Sequence, residues 1–506
     1  MTLHIDPAAT TGRVNPALHG QFIEFLGTCI DDGIWVGTGS GVPHTDGVRQ
    51  GVLDALVALA PPVLRWPGGC YADTYHWRDG IGDRAQRPTT FNENFGTDEL
   101  DDHAFGTDEY LRLCEAVGAE PWININMMSG SVAEMRDWME YVNREQGTDL
   151  ARLRAENGHE APYGVRFWGI GNESWAGGGM MTPQSYLDAY RPYAAAMPHF
   201  TKSVFDAPAG YPIASGPDGN KPRERVEWTR DFFRALAEYR QPPIAGYDLH
   251  FYNWNIDHED DTPTRFDQAG WDRVIAGCLE LEEVILEQWA LIQEGLALVP
   301  EPESSLDTRL THVDLIVGEW GNWHRDAFYA RPALYQQVTM RDAITTALTL
   351  DLLQRHCDKV SMACNAQTVN VLNSLILTEG DQTVLTPNYD VFMMYKPHRG
   401  AAALAVEPVD APSGVHAFAS ATDDAVLVNL TNVSMTEPAE VELAFAVPVR
   451  LESVETLRAD SPTAHNTVDA PDAVRRTTTV LDAAAATTHV VRVAAGSVNV
   501  VRAVVA

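Results

Sequence analysis

The chain has 506 residues, too many for one ordinary domain and about right for a large barrel with a smaller module. Its 36 basic and 70 acidic residues give a net charge of −34, so we expect no nucleic acid and no membrane surface as a partner, because both would be repelled. No apolar run reaches the roughly 18 residues of a transmembrane helix. The N-terminal residues MTLHIDPAATTGRVNP lack the basic and apolar regions of a signal peptide, which predicts a cytoplasmic protein.

The excess of acidic residues also predicts adaptation to salt. Only four of the basic residues are lysine, namely Lys202, Lys221, Lys359 and Lys396. A surface this acidic repels itself, and salt relieves that repulsion by screening it. We therefore predict a salt-rich host cytoplasm, with an ordinary acidic enzyme from a GC-rich genome as the alternative.

The cysteines are scattered along the chain without a CxxC pair, which argues against a zinc site and against a disulfide framework. They are Cys29, Cys70, Cys114, Cys278, Cys357 and Cys364.

Eight short apolar segments recur in the first part of the chain. They are Ala17–Leu26, Pro62–Trp66, Pro121–Asn126, Val165–Gly171, Tyr211–Gly216, Tyr247–Tyr252, Val313–Glu319 and Lys359–Ala366. Helical patterns lie between them, for example at Asp108–Val117, Thr182–Met197, Arg223–Glu238, Trp271–Glu294 and Thr339–His356. Strands that alternate with helices predict an α/β fold, a parallel (β/α)8 TIM barrel. Two long loops, Thr28–Thr45 and Tyr71–His103, should lie at the C-terminal face, where such barrels keep their active sites.

The pattern changes after about residue 390, where short β-rich runs are separated by Pro, Asp, Ser and Gly. These runs are Val415–Ser420, Asp424–Leu430, Ala439–Phe445, Arg450–Leu457, Thr488–Val493 and Ser497–Val505. They predict a C-terminal β-sandwich, jelly-roll-like, to which the N-terminal Thr2–Asp6 could add a strand. The predicted domains are an N-terminal segment at 1–16, the catalytic barrel at 17–390 and the sandwich at 391–506.

Two glutamates end strands on the same face of the predicted barrel. Glu173 ends the fourth segment, in Gly171-Asn172-Glu173-Ser174-Trp175, and Glu319 ends the seventh, in Gly318-Glu319-Trp320. Cleavage of a glycosidic bond needs two carboxyl groups, one protonated and one ionised. An amide beside the acid, as at Asn172, can bind the sugar 2-hydroxyl. The pair therefore predicts a glycoside hydrolase.

Several long motifs, in order along nearly the whole chain, resemble glycoside hydrolase family 51, the α-L-arabinofuranosidases. The motifs lie at Gly20–Gly37, Leu64–Pro88, Asp102–Glu109, Gly169–Trp175, Leu249–Tyr252, Ile316–Trp320 and Ala366–Asn373, with a weaker match at Ala464–Pro471. The resemblance implies a retaining double displacement with Glu319 as nucleophile and Glu173 as general acid/base. The two carboxyls should then lie about 5–5.5 Å apart, and a separation near 9 Å would contradict this assignment.

The resemblance also implies roles for residues around the two glutamates. Glu24 and Gln367 would bind sugar hydroxyls, and Asn172 would contact the sugar. Arg65 would stand behind the nucleophile and lower the pKa of Glu319. Tyr252 would hold the nucleophile carboxylate, and His250 would support the site.

The chain departs from the common family pattern beside the nucleophile. Cys70 occupies a substrate-binding position at which many members have asparagine, and a thiol cannot supply the two-sided hydrogen bonding of an amide. Gly318 stands where aspartate is common, and Gly321 where asparagine often follows the tryptophan. The aromatic residues Trp320, Trp323, Trp254 and Tyr71 are candidates for stacking on sugars, with core packing as the alternative.

These observations predict an exo-acting enzyme that releases terminal arabinofuranose from short, imported arabinan- or arabinoxylan-derived oligosaccharides. We expect no metal and no organic cofactor, because two carboxylates complete the chemistry. By family analogy we expect a homo-oligomer, in particular a hexamer. A β-xylosidase or endo-β-1,4-glucanase of the same family is one alternative. A carbohydrate-binding protein without turnover is another.

Overall fold

In the computed structural model, the residues described are 1–96, 99–200, 210–303, 309–409 and 414–506. Lys202 and residues 97–98 of the second long loop lie outside them. Eight parallel strands form a closed barrel in which each strand pairs with the next and the eighth pairs with the first. The strands are Gly20–Phe22, Val63–Trp66, Glu120–Ile125, Phe167–Ile170, Tyr211–Asp218, Gly246–Asn255, Asp314–His324 and Val360–Asn365. The prediction of a (β/α)8 barrel is confirmed.

Helices cover the outside of the barrel. They are Gln50–Leu59, Thr107–Val117, Val132–Asn143, Asp149–Glu156, Pro183–Ala195, Pro222–Glu238, Gln268–Ala297 and Met340–Arg355, followed by Pro387–Tyr395. Their ends follow ordinary capping chemistry: Asp267 accepts a hydrogen bond from Gly270 N to begin the longest helix, and Gly118 ends another at a φ of 74°. Within the described residues, no helix combines the length and apolar character needed to cross a membrane.

The first barrel strand is shorter than the sequence predicts. The segment Pro16–His19 forms a 3-10 turn, because the Asn15 side chain accepts from Ala17 N and Pro16 suits the first turn position. The chain enters the barrel only at Gly20, where a Cβ would lie 2.6 Å from Ala363 O of the eighth strand. The residues after Phe22 therefore belong to the loop above the barrel.

The C-terminal part forms a separate antiparallel sheet domain. Its strands are Ala402–Val409, Val415–Ala421, Val426–Asn432, Ala439–Arg458, Arg475–Val480, Ala486–Val493 and Ser497–Val505. The N-terminal strand Thr2–Arg13 joins this sheet, pairing with Ala402–Val409 and with the first part of Ala439–Arg458. The pairings close into a circuit around an apolar core that includes Leu3, Leu443 and Val501.

One long strand replaces two that the sequence separates. Ala439–Arg458 is continuous: its first part pairs with Ala486–Val493, and its second part with Ser497–Val505 and Arg475–Val480. The predicted domain boundary at residue 390 falls inside the helix Pro387–Tyr395. We propose that the boundary lies after this helix.

Candidate active site

A small pocket opens at the C-terminal end of the barrel and contains both candidate glutamates. It encloses about 310 Å³ including its open mouth. Its lining consists of Glu24, Leu26, Gly69, Cys70, Phe95, Asn172, Glu173, Tyr252, Glu319, Trp323, Leu334, Gln367 and Leu372. Glu319 lies within the seventh strand, whereas Glu173 lies in the turn after the fourth, at a φ of 40° that few non-glycine residues adopt. Side chains from separate strands therefore converge on one space.

Glu319 is held by three neighbouring side chains. Arg65 Nη1 donates to its Oε1 at 2.6 Å, and Tyr252 Oη donates to its Oε2 at 2.7 Å. His250 Nδ1 lies 3.4 Å from Oε1. Burial alone would raise the pKa of Glu319, but the charges of His250 and Arg65 and these hydrogen bonds outweigh it and lower that pKa. The carboxylate is thus kept ionised.

Arg65 connects the nucleophile candidate to the turn that carries Glu173. Its Nη2 donates to Asn172 Oδ1 at 2.6 Å, and its guanidinium lies over the rings of Phe22 and Trp122. The side chain is completely buried. A buried charge of this kind is stable only when paired, so Arg65 and Glu319 depend on each other.

Glu173 has the opposite electrostatic environment. Burial is the largest influence and raises its pKa, although the hydrogen bond from His250 works against it. His250 Nδ1 lies 3.0 Å from Glu173 Oε1, and Cys70 Sγ lies 3.9 Å from Oε2. Two carboxyls whose surroundings move their pKa values apart are the arrangement that acid and nucleophile roles require.

The two carboxyls are close together. An oxygen of Glu173, an oxygen of Glu319 and a ring nitrogen of His250 all lie within 4.8 Å of one another. Such a trio could ligate a metal ion, but Arg65 already contacts Glu319 and would repel a cation. Burial lowers the pKa of His250, yet the charges of Glu319 and Asp248 raise it to about 10, so the imidazole carries a positive charge of its own. The site therefore suits sugar hydroxyls better than a metal.

Glu24 and Gln367 form a second polar wall of the pocket. The Gln367 side-chain amide donates to Glu24, and both side chains are buried. Burial and the charge of Glu319 raise the pKa of Glu24 well above its usual range. Gly69 leaves room for this carboxylate, since a Cβ there would lie 2.7 Å from Glu24 Oε2.

The structure brings nine of the ten sequence-predicted site residues together, and Trp320 is the exception. Its ring lies on the opposite side of the strand from Glu319, fully buried and stacked on Phe392 with the centroids 6.1 Å apart. Successive side chains of a strand point to opposite faces, so the residue after the nucleophile cannot share its pocket. Arg65 and His250 do not line the pocket. They act on it through their contacts with Glu319 and Glu173.

Of the other aromatic candidates, Trp323 does line the pocket. It packs edge-on against Tyr252 and stacks on Phe328, with ring centroids 5.0 Å apart in both cases. Tyr71 instead donates its hydroxyl to Asp101 below the loop. Trp254 is 40% exposed at the rim, where Lys221 lies 5.2 Å from its ring.

Sequence reasoning missed the apolar wall of the pocket and one buried carboxylate. Leu26, Phe95, Leu334 and Leu372 come from loops, where no periodicity indicates which side chains turn inward. Asp248 contacts His250 from within the sixth strand. An acidic residue in an otherwise apolar strand segment was the available signal for Asp248.

Comparisons with known proteins show which family the chain belongs to. The α-L-arabinofuranosidase 1 domain profile matches residues 55–270, and the α-L-arabinofuranosidase C-terminal domain profile matches residues 318–496. The intracellular exo-α-L-arabinofuranosidase of Bacteroides ovatus is 34% identical over 490 residues, covering 94% of this chain and 90% of that protein. The family 51 arabinofuranosidase of Xanthomonas axonopodis pv. citri superposes with a TM-score of 0.87 at 32% identity over 99% of each chain. The chain belongs to glycoside hydrolase family 51.

Other solved structures are similar over the same length. The α-L-arabinofuranosidase of Thermotoga maritima, solved as an arabinose complex, has a TM-score of 0.82 and 27% identity, with 99% of both chains covered. A bifunctional glucanase-xylanase from a metagenome shares the fold alone, at 13% identity and a TM-score of 0.60.

Proposed function

We propose that this family 51 hydrolase is a retaining, exo-acting α-L-arabinofuranosidase. The observation that carries the proposal is the pair of close carboxyls with opposite pKa shifts, Glu173 raised and Glu319 lowered. Their oxygens lie within 4.8 Å, which supports the retaining spacing of about 5–5.5 Å over the 6.5–9.5 Å of inverting enzymes.

The proposed reaction has two steps. Glu319 attacks the anomeric carbon of arabinofuranose while protonated Glu173 gives its proton to the leaving oxygen. Glu173, now ionised, then takes a proton from water as that water attacks the anomeric carbon and releases Glu319. Glu24, Gln367 and Asn172 would bind the sugar hydroxyls.

The small pocket supports removal of a single terminal sugar rather than cleavage within a polymer. Its apolar wall, together with Trp323, limits the space beside the two glutamates. From the name of the Bacteroides ovatus relative we also propose action inside the cell, on short oligosaccharides derived from arabinan or arabinoxylan. Assembly into a homo-oligomer stays a prediction from the family.

The test is hydrolysis of nitrophenyl α-L-arabinofuranoside, with the β-xyloside and the β-cellobioside as comparison substrates. We expect the arabinofuranoside to be cleaved fastest, and early NMR spectra to show the α anomer as first product. Glu319→Ala should abolish turnover, and Glu173→Ala should cost roughly 10²–10⁴-fold on substrates with poor leaving groups. Azide should rescue Glu173→Ala on an activated substrate. Unchanged turnover in both variants would disprove the assignment.

A further inference from the structure

The seventh barrel strand carries an extra residue immediately before the nucleophile. Leu249 of the sixth strand faces Val317, and the next residue, His250, faces Glu319, so Gly318 has no partner in this ladder. An extra residue of this kind makes a β-bulge, which bends the strand and re-aims the side chain beside it. The direction of Glu319 therefore depends on how the bulge at Gly318 is held.

The carboxylate of Asp248 holds this bulge. Its Oδ1 accepts a hydrogen bond from Gly318 N at 2.7 Å, which replaces the ladder bond lost there. Its Oδ2 lies 3.1 Å from His250 Nε2, so the same carboxylate also fixes the imidazole ring. The other ring nitrogen of His250 lies 3.0 Å from Glu173 Oε1 and 3.4 Å from Glu319 Oε1.

Residue 318 has to be glycine for this contact to exist. A Cβ at Gly318 would lie 2.1 Å from Asp248 Oδ1 and 2.5 Å from Oδ2, far inside contact distance. The Asp248 side chain is buried, and moving it away from such a Cβ would break its contacts with His250 Nε2 and Gly318 N. Gly318 and Asp248 thus form one unit across two strands.

We propose that Asp248 is a positioning residue for both glutamates, acting through the Gly318 bulge on Glu319 and through His250 on Glu173. This inference rests on the proposed function, because it gives those glutamates their roles. Asp248 holds His250 in the orientation that serves both carboxyls, in the way that an outer carboxylate fixes a working histidine.

His250 lies among several charged groups, so its charge state depends on all of them. Those on neighbouring elements are Glu24, Arg65, Glu173, Asp218 and Glu319, and Asp248 lies on its own strand. Asp248→Asn would keep an oxygen for Gly318 N but remove one negative charge beside the ring. The pKa of His250 would fall, but Glu319 and Glu173 would still keep the ring protonated where the two carboxyls titrate, so the loss of one negative charge favours ionisation of both glutamates.

The first experiment compares the pH dependence of kcat/KM for wild type, Asp248→Asn and Asp248→Ala on nitrophenyl α-L-arabinofuranoside. For Asp248→Asn we expect both limbs of the profile to move to lower pH, because one negative charge beside the pair is removed while Glu319 and Glu173 still hold the proton on His250. For Asp248→Ala, which also frees the bulge, we expect kcat to fall by about 100-fold, the cost of misplacing a reacting group by about 1 Å.

The second experiment is a double-mutant cycle between the two strands. Gly318→Ala should reduce kcat strongly in the wild type but much less in Asp248→Ala, because its clash partner is then absent. Gly321→Ala is the matched control on the same strand: its Cβ would crowd Asn373 instead, so its effect should be equal in both backgrounds. If Asp248→Ala does not fold, the pH profile of Asp248→Asn and the kcat of Gly318→Ala still test whether Asp248 positions the two glutamates.

A profile of Asp248→Asn that coincides with wild type, or additive effects in the cycle, would overturn the role of Asp248. The proposed function fails separately, through the identity of the sugar that wild type releases. If another glycoside is the better substrate, the same variants are measured on it, because the inference concerns the two glutamates and not the sugar.

Discussion

Arg65, together with His250, keeps Glu319 ionised, and it does so from a completely buried position. Replacing Arg65 with methionine removes the cation 2.6 Å from the carboxylate while keeping much of the side-chain volume. Burial then acts on Glu319 with less opposition, so its pKa rises. Because the nucleophile must be ionised, the acid limb of kcat/KM should move to higher pH by roughly 1–3 units.

The matched control for Arg65→Met is Arg154→Met. Arg154 is also completely buried, but it donates only to backbone carbonyl groups such as those of Tyr141 and Arg144, away from the pocket. Its loss should lower the melting temperature and leave the acid limb where it is. If the acid limb of the Arg65→Met profile coincides with that of wild type, a group other than Arg65 keeps Glu319 ionised.

The seventh strand shows that neighbouring tryptophans can have unrelated roles. Trp323 lines the pocket, whereas Trp320 packs on Phe392 behind it. We expect Trp323→Ala to raise KM, in addition to a loss of stability from its own burial. Trp320→Ala should reduce the free energy of unfolding by about 3–5 kcal/mol and leave KM nearly unchanged. Steady-state kinetics and thermal melts separate the two, and a raised KM at normal stability in Trp320→Ala would contradict this division.

Elements with a clear period were predictable, and irregular ones were not. All eight barrel segments follow from apolar runs that alternate with helices, and so does the placement of Glu319 on the seventh strand and of Glu173 just after the fourth. The bulge at Gly318 is invisible in such a pattern, because a one-residue register shift leaves composition unchanged. Trp320, a candidate for sugar stacking, packs in the core instead, because strand alternation places its ring on the face opposite Glu319.

Long-range contacts between polar groups were equally hidden. Nothing in the segment Tyr247–Tyr252 indicates that Asp248 accepts from a residue 70 positions away. The role expected for Arg65 came from family resemblance, and its contact with Glu319 is now visible in the structure. The sequence predicted the strand on which each of these side chains lies. It could not predict which side chains form hydrogen bonds across the barrel, because those contacts depend on the three-dimensional structure.

At the scale of the whole molecule, the barrel and the sheet domain meet at a buried polar cluster around His398. Its Nδ1 lies 2.7 Å from Ser420 Oγ and its Nε2 lies 2.7 Å from Asn429 Oδ1. Asn429 in turn donates to Asp351 Oδ1, on the helix Met340–Arg355 of the barrel, at 2.7 Å. Burial lowers the pKa of His398 to about 4, so the folded protein keeps this ring neutral.

This cluster predicts a loss of stability in acid. Below a pH of about 6.5 the unfolded chain binds a proton at His398 and the folded chain does not, so stability falls by up to roughly 3 kcal/mol as the pH approaches 4. Burial raises the pKa of Asp351 to about 7, which acts in the opposite direction. Comparing His398→Gln with wild type keeps Asp351 in both proteins and so isolates the histidine.

The measurement is the free energy of unfolding near pH 5 and near pH 7.5. We expect wild type to lose more stability between these values than His398→Gln does. His4→Gln, at an exposed position of the same domain, serves as the control and should follow wild type. Equal pH dependence of wild type and His398→Gln would contradict the prediction.

The net charge of −34 gives the whole molecule a dependence on salt that no single contact explains. Raising the salt from about 0.1 M to 1 M shortens the Debye length from about 10 Å to 3 Å, which weakens repulsion between carboxylates. We expect the melting temperature to rise with NaCl. Sucrose stabilises proteins because it is excluded from their surface, and it does not screen charge. Comparing NaCl with sucrose therefore separates charge screening from general stabilisation by an added solute.

Charge reversal on the surface tests the same argument from the protein side. Asp469 and Asp482 are exposed and form no ion pair with the described residues. Replacing both with lysine should raise the melting temperature at low salt, because it removes repulsion, and should have little effect near 1 M salt, where that repulsion is already screened. If the lysine substitutions raise the melting temperature equally at both salt concentrations, the stabilisation comes from local contacts. If the melting temperature of wild type does not depend on NaCl, the protein is an ordinary acidic enzyme and not a salt-adapted one.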